Sequence, residues 1–482
     1  MQMSANLLSR SSIWRVVREH RLFSLILGLA VALRAVVAVT YRPALFFTGD
    51  SVVYLGNSAN LVPGEARPIL YAVFLRVILL FHHLFAVPVL QHLFGLASGI
   101  LTYVLLRHLG VAKGIAVAGT VFVLFDPLQL VIEQHILSES LFQLMVVAAL
   151  AVLLWQQRPA TVRCAIVGFG LAAATVTRNV GLIVIVPTLG FAVAQRFGWK
   201  RVATLTLSFA LPLLAYAGWF YLAHGRFGLE NYGGRFLYGR VAPFANCHGL
   251  KLSAIERTIC PTMEPRSPWP TWYVFGPPSP FFDGRLQSNS DANQIARTFA
   301  LTIIRHQPTT YIRAVSGDFL DYFRPARATG PDADPVAIDF PFRLNQLTAY
   351  PSPLIEEWIK RADASPAARA VIVRPLAKAL VSWQRFFYLP GPLFALALLA
   401  GFLGIVGWPC AVERRCGAEG VLYSSIATLL LIVPVAAVVF DYRHMVPAFP
   451  LMGTAGALGA SLLLERIRLR RSARPRPSGP SA

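Results

Sequence analysis

Charged residues are scarce in this chain. Asp, Glu, Lys and Arg make up only 14% of its 482 residues, whereas hydrophobic residues make up 55%. Soluble domains have about a quarter of their residues charged. The composition therefore excludes an ordinary soluble protein and indicates a polytopic membrane protein.

Acidic residues are the scarcer of the two signs, with 23 Asp and Glu against 44 Lys and Arg and a net charge of +21. Such an excess can indicate a nucleic-acid partner, but the sequence has no basic soluble domain with interleaved aromatics. The basic residues instead form short clusters between apolar runs and the tail from Arg466 to Arg476. Anionic lipid and membrane topology explain that pattern, so we expect a lipid bilayer and no nucleic acid as partner.

Cysteine is also rare, with five in the whole chain and no C-x-x-C spacing that would indicate zinc. Cys247 and Cys260 fall in the one long hydrophilic region. If that region faces an oxidising compartment, a disulfide between them is favoured, and the alternative is two unpaired thiols.

Long apolar runs are plentiful, and about ten of them can cross the roughly 30 Å of bilayer hydrocarbon. The connectors rich in Lys and Arg all fall on one side, which predicts a multi-pass protein of the plasma membrane with both termini cytoplasmic. We interpret the first run as a retained anchor, because it continues past the small-residue spacing of a signal peptide. The runs are approximately 22–40, 87–106, 114–131, 139–155, 164–177, 179–195, 202–222, 391–411, 420–440 and 446–464.

Two regions are predicted on the outer face. The first, 41–86, contains two stretches that we expect to be helices in the membrane interface. The second, 224–390, is too long for a passive connector, and we expect an irregular first half and a helical second half broken at Pro308. The chain then divides into a cytoplasmic segment (1–21), a transmembrane catalytic module (22–223), this outer loop region (224–390), C-terminal transmembrane helices (391–464) and a basic, disordered cytoplasmic tail (465–482).

Asp50 stands just beyond the first span, on the face opposite the cytoplasm, where an acid can act on a lipid head group. If its segment is helical, Asp50, Tyr54 and Ser58 share one face. The alternative is that Asp50 only caps the helix, since Asp at a helix start accepts backbone N–H bonds. Both roles are compatible.

A second acidic group lies near the outer ends of the third and fourth spans and contains Asp126, Glu133 and Glu139, with His135 among them. Ionisable residues there are costly unless they are solvated, paired or functional. Glu133 and His135 could hold a divalent cation together, although such a pair is a weak signal. Glu139 could instead be a first-turn acid that favours the helix dipole.

Arg178 and Arg443 occupy outer positions between spans, against the general bias of positive charge to the inside. A guanidinium suits bidentate phosphate binding. The alternatives are that Arg178 snorkels to lipid phosphate without function and that Arg443 only pairs with Asp441.

In this order, these pieces resemble the GT-C membrane glycosyltransferases, specifically the branch of protein O-mannosyltransferase-like and aminoarabinose-transferase-like enzymes. The resemblance covers about 40–200 and 290–465. Ser51 departs from the family pattern, because the first acid of the family is often a pair. The matching stretches are Asp50 with Tyr54 and Ser58-Ala59, Pro68-Ile69-Leu70-Tyr71, Pro127 with Ser138-Glu139-Ser140-Leu141, Thr177-Arg178-Asn179-Val180-Gly181-Leu182, and Arg443-His444-x-x-Pro447 with His in place of Tyr.

The resemblance implies an all-α bundle of about ten or more transmembrane helices with interfacial helices and a large extracytoplasmic loop region. It implies transfer of a sugar from a polyprenyl-phosphate donor to an acceptor hydroxyl, with inversion. Asp50 would be the general base, assisted by Glu139, and Arg178 and then Arg443 would hold the donor phosphate. Tyr54, Glu133 and His135 would line the substrate cavity. A positioned Arg can replace a metal, and a divalent cation stays possible.

The rival function is a transporter or flippase of a lipid-linked or small solute. A transporter places ionisable residues near span midpoints or shows paired broken helices in related halves. Here the acids gather at the outer ends of spans, which favours an enzyme. The sequence leaves open whether the acceptor is a protein, a lipid or a polysaccharide.

Overall fold

The computed structural model describes residues 17–47, 49–262, 266–277, 279–287, 289–326, 342–344, 371–405 and 411–472. This part of the chain is almost entirely helical. Its only sheet pairs Tyr41–Arg42 antiparallel with Val371–Ile372. The α-helices are Arg21–Thr40, Asp50–Asn60, Leu70–Leu79, Ala86–His108, Lys113–Phe125, Pro127–Gln134, Glu139–Leu154, Thr161–Thr177, Ile185–Ala194, Trp199–His224, Gly233–Val241, Ala254–Thr258, Pro270–Phe275, Ala292–His306, Pro308–Asp321, Arg374–Phe387, Gly391–Phe402, Ala411–Ala437 and Phe449–Ser472.

Five of the described helical segments are long and apolar enough to cross a membrane, and two bent helix pairs raise the number to seven. The protein is therefore an integral membrane protein of the all-α class. Each predicted apolar run overlaps a helix, but 139–155, 164–177 and 179–195 overlap helices shorter than a full span. The five single segments are Arg21–Thr40, Ala86–His108, Trp199–His224, Gly417–Ala437 and Tyr442–Leu469, and the pairs are Lys113–Phe125 with Pro127–Gln134 and Arg374–Phe387 with Gly391–Ile405.

The break in the third predicted span follows from its sequence. Asp126 accepts a hydrogen bond from the backbone N–H of Leu128 at 2.9 Å, so it caps a new helix that has Pro127 at its first position. Proline is well tolerated there, because that N–H has no partner within the helix in any case. The two helices meet at 45°.

The hydrophilic region beyond His224 has its own buried cluster, which includes Tyr238, Phe281, Phe299 and Ile303. Its second half contains the predicted pair of helices, separated at Pro308. The first half is less irregular than predicted, because it contains short helices. In one of them Pro270 again occupies a first helical position, where proline favours a helix and does not break it.

Cys247 and Cys260 are joined by a disulfide that closes a loop of 13 residues in sequence separation. By loop entropy, a crosslink of this size contributes about 3 kcal/mol to the order of the loop. In mass spectrometry of the unreduced protein, we expect Cys247 and Cys260 in one crosslinked peptide. The double variant Cys247→Ser with Cys260→Ser should lower the thermal stability of this region. The buried free thiol of Cys164 is an internal control, since it should alkylate only after denaturation. Alkylation of both Cys247 and Cys260 in native protein would refute the bridge.

Candidate active site

The segment that follows the helix Arg21–Thr40 forms hydrogen bonds with the end of the helix Pro127–Gln134 and the residues just after it. The backbone N–H of Leu45 donates to the carbonyl of Gln134 at 2.9 Å, and that of Ile136 donates to the carbonyl of Leu45 at 3.0 Å. The hydroxyl of Ser51 donates to the carbonyl of Ile136 at 2.9 Å. These bonds fix the start of the helix that carries Asp50 next to the start of the helix Glu139–Leu154.

Asp50 is the first residue of its helix and only 6% exposed. Its Oδ1 accepts from Arg67 Nη2 at 2.7 Å and from Nε at 3.0 Å, and its Oδ2 accepts from Arg443 Nη1 at 2.7 Å. The cap position belongs to Gly49, and no side chain caps the helix, so the capping alternative is wrong. The predicted shared face is confirmed, because Asp50, Tyr54 and Ser58 are all buried.

The two guanidiniums decide the charge of Asp50. Burial by itself would raise the pKa of the carboxyl, but Arg67 and Arg443 outweigh burial and hold that pKa well below its usual range. Asp50 is therefore a carboxylate at neutral pH. While both ion pairs persist, it is also a weak proton acceptor, because a proton would have to displace them.

Arg443 is held by the 3₁₀-helix Tyr442–Ala448. The side chain of Asp441 accepts from the backbone N–H of Arg443 at 2.9 Å and lies 2.8 Å from its Nε. The guanidinium also lies 4.9 Å from the centre of the Phe47 ring. The ion pair with Asp441 considered from the sequence is therefore present, but the same guanidinium also reaches Asp50.

Arg178 follows the last residue of the helix Thr161–Thr177 in an extended conformation. Its Nη1 lies 2.5 Å from Glu139 Oε1 and donates to Ser138 Oγ at 3.2 Å. Ser138 Oγ also lies 2.8 Å from the hydroxyl of Tyr54. Glu139 is fully buried and orients Arg178, and it is not among the described residues that line the cavity next to it.

Arg67, Arg178 and Arg443 all line one cavity of about 250 Å³. The cavity also has an apolar wall, which the end of the helix Ala411–Ala437 contributes. Three cations beside an apolar surface suit a phosphate that is attached to an apolar chain. The other lining residues are Tyr54, Ala66, Pro68, Asn179, Val180, Glu230, Gly233, Phe236, Val433, Pro434, Ala437, Val438 and His444.

The sequence did not lead us to predict Arg67 as a phosphate-binding residue, although its position offered a signal. It precedes the Pro68-Ile69-Leu70-Tyr71 stretch in a predicted outer loop. A basic residue there runs against the topology bias in the same way as Arg178. Glu230 gave no comparable signal, because acids are common in a long hydrophilic region.

Glu133 and His135 lie elsewhere, and neither lines this cavity among the described residues. Glu133 is fully buried between Arg34, at 2.9 Å, and His92, at 2.7 Å. Arg34 also donates to the carbonyls of Val123 and Leu124, at the bend before Pro127. Glu133 therefore belongs to a network of ion pairs and hydrogen bonds that stabilises the bend between the helices Lys113–Phe125 and Pro127–Gln134.

The structure does not bring Glu133 and His135 together as a pair for a cation. His135 Nδ1 bonds to the carbonyl of Val131 at 2.8 Å, and Glu133 has the cationic partners described above. Among the described residues, no group of three or more His, Cys, Asp or Glu is arranged to hold a metal ion.

Residues 78–226 match the family model described as dolichyl-phosphate-mannose-protein mannosyltransferase. Over that segment, the match confirms the resemblance to membrane glycosyltransferases that the sequence predicted. Arg178 and Glu139 fall inside the matched segment, whereas Asp50 and Arg443 lie outside it. No curated protein matches the chain in sequence.

Two solved structures of ArnT from Cupriavidus metallidurans are similar to the chain. The structure bound to undecaprenyl phosphate has a TM-score of 0.35 and 13% identity, covering 94% of this chain and 81% of that one. The apo structure has a TM-score of 0.33 and 15% identity, covering 98% and 82%.

Proposed function

We propose that the chain is a GT-C-type glycosyltransferase that transfers a sugar from a polyprenyl-phosphate donor to an acceptor hydroxyl at this cavity. The observation that carries the proposal is the convergence of Arg67, Arg178 and Arg443 around one cavity beside the buried carboxylate of Asp50. The family match over 78–226 supports it independently. The cavity would open on the extracytoplasmic face of the plasma membrane, with both chain termini in the cytoplasm.

The donor phosphate would bind among the three guanidiniums, with its polyprenyl chain along Val433, Pro434 and Val438. Each guanidinium already has a carboxylate partner and is therefore oriented before the donor arrives. Charge that develops on the leaving phosphate would be stabilised by these fixed cations. No step requires a metal, although a divalent cation bound with the donor is compatible with the site.

Asp50 would act as the base. The acceptor oxygen attacks the anomeric carbon, its proton passes to Asp50, and the bond from the anomeric carbon to the phosphate oxygen breaks with its electron pair leaving on polyprenyl phosphate. Attack from the side opposite the phosphate inverts the anomeric carbon. The donor phosphate would share Arg67 and Arg443 with Asp50, which weakens both ion pairs without moving the guanidiniums and makes Asp50 a stronger base.

A transporter or flippase is the second candidate, since a charged cavity with an apolar wall can also hold a lipid head group in passage. The two functions differ in one respect that can be measured, because only the enzyme breaks the bond between sugar and phosphate. The test is release of polyprenyl phosphate from a sugar-labelled donor by purified protein in detergent, where no gradient exists. Mannose heads the donor panel, because the matched family is described by that sugar.

We expect release that depends on both donor and acceptor, with alkyl glycosides as simple hydroxyl acceptors. A variant at the exposed pair outside the cavity, Arg226→Lys, should release as much as the wild type. If the wild type releases no polyprenyl phosphate with any donor and acceptor in the panel, the enzyme proposal is refuted and the transporter is favoured.

A further inference from the structure

Glu230 is a carboxylate that the catalytic proposal does not use, yet it lines the same cavity as the three guanidiniums. Its Oε1 accepts from the backbone N–H of Gly233 at 3.1 Å, and its Oε2 accepts from that of Tyr232. The segment is also anchored at the next residue, because the backbone N–H of Asn231 donates to the carbonyl of Glu65 at 2.7 Å. The carboxylate is therefore held in place and does not swing freely into solvent.

Glu230 differs in its partners from the carboxylates that pair with the lining guanidiniums Arg178 and Arg443. Asp50, Glu139 and Asp441 are each within ion-pair distance of a guanidinium. Glu230 forms no ion pair with any residue in the described part of the chain and accepts only neutral backbone N–H groups. Each of its oxygens retains a lone pair for a further donor.

Its surroundings favour a neutral hydrogen-bond donor. Burial raises the pKa of Glu230, and the backbone N–H groups and the more distant Arg67 offset this only in part. A second negative charge beside Glu230 would be costly, whereas a hydroxyl would satisfy the carboxylate. The three guanidiniums proposed to bind the donor phosphate belong to the membrane-spanning part of the chain and to the predicted first outer loop. In contrast, Glu230, Gly233 and Phe236 belong to the hydrophilic region beyond His224.

We propose that Glu230 positions the acceptor, by accepting a hydrogen bond from a hydroxyl next to the attacking one and by disfavouring acceptors that carry a negative charge there. The inference rests on the proposed function. It assigns the acceptor side of the cavity to the hydrophilic region and defines the acceptor class as neutral and rich in hydroxyls.

Two variants perturb Glu230 in different ways. Glu230→Gln removes the charge and keeps the shape. Gly233→Ala keeps the charge but places a Cβ 2.7 Å from Glu230 Oε1, so the carboxylate must move. Glu230→Asp keeps a charge on a shorter arm and should rescue part of the loss.

Two matched controls lie nearby. Glu65→Gln removes a half-exposed carboxylate of the first outer loop that is outside the cavity. Gly228→Ala adds a Cβ whose nearest neighbour is 3.4 Å away, which is an ordinary contact. Both should behave as the wild type.

The probes are a neutral alkyl glycoside and the same glycoside carrying a carboxylate on its sugar. We expect the wild type to prefer the neutral acceptor by about tenfold or more, since like charges disfavour binding. In Glu230→Gln and Gly233→Ala, the KM for the neutral acceptor should rise about tenfold with the KM for the donor unchanged, and Glu230→Gln should lose the discrimination against the carboxylate.

Two failures can be told apart. Unchanged acceptor KM and unchanged discrimination in both variants, with an active wild type, would overturn the role of Glu230 alone. Absence of transfer by the wild type to either glycoside would overturn the proposed function and this inference with it. A parallel rise in the KM for donor and acceptor would show a structural role and would also overturn the inference.

Discussion

Replacing Asp50 by asparagine should lower sugar transfer by about 10²- to 10⁴-fold, which is the usual contribution of a positioned general base. The amide keeps the shape of the carboxyl but cannot accept the proton. Donor binding should be unchanged or tighter, because the substitution removes the anion that competes with the donor phosphate for Arg67 and Arg443. The measurement is kcat for transfer together with the Kd for a polyprenyl-phosphate sugar.

This combination separates a base from a structural residue. If Asp50 only neutralised the two guanidiniums, Asp50→Asn would weaken the fold but leave the turnover of bound donor intact. Asp291→Asn is the matched control, since Asp291 also pairs with an Arg, at 2.6 Å, but in an exposed position outside the cavity. Near-normal turnover in folded Asp50→Asn protein would eliminate the assignment.

The pH dependence of stability and of transfer should also reflect the ion pairs and the catalytic role of Asp50. The pKa of Asp50 lies below its unfolded value, so its ion pairs stabilise the fold fully above about pH 4 to 5, and that stabilisation is lost as the pH falls further. When the donor phosphate binds to Arg67 and Arg443, the pKa of Asp50 should rise toward its ordinary value. The acid limb of kcat, which reports the donor complex, should therefore lie at higher pH than that of kcat/KM.

Much of the architecture could be predicted because hydropathy fixes which segments are helical. Every apolar run overlaps a described helix, and even the break at Pro308 is where proline chemistry places it. The number of spans could not be read in the same way. Whether helices such as Glu139–Leu154 cross the membrane depends on bends and tilts that tertiary packing sets.

The site was predictable where a charge stands out from its surroundings. Asp50, Arg178 and Arg443 are isolated charges at the ends of apolar segments. Arg178 and Arg443 line one cavity with Tyr54, and Asp50 lies behind that lining, paired with Arg443. Glu133 met the same criterion but faces Arg34 inside the bundle. The direction of a side chain beyond a helix break depends on the rotation of the new helix, which sequence spacing does not fix.

The second large effect should come from Arg178. A guanidinium can hold Glu139 and still offer planar N–H groups to a phosphate, whereas a lysine ammonium is a single point of charge. We expect Arg178→Lys to raise the KM for donor by about 10- to 100-fold, in line with the loss of a hydrogen bond between charged groups. The readout is polyprenyl phosphate release across a donor titration, with Arg226→Lys as the matched control.

Arg178→Ala should nearly abolish transfer, but it also leaves Glu139 buried and unpaired, which costs about 3 to 5 kcal/mol of stability. The double variant Arg178→Gln with Glu139→Gln removes both charges, so it separates lost phosphate binding from lost folding. If the double variant folds and remains inactive toward donor, Arg178 acts through the phosphate. If Arg178→Lys releases polyprenyl phosphate as readily as the wild type, the phosphate is held by Arg67 and Arg443, and Arg178 only neutralises Glu139.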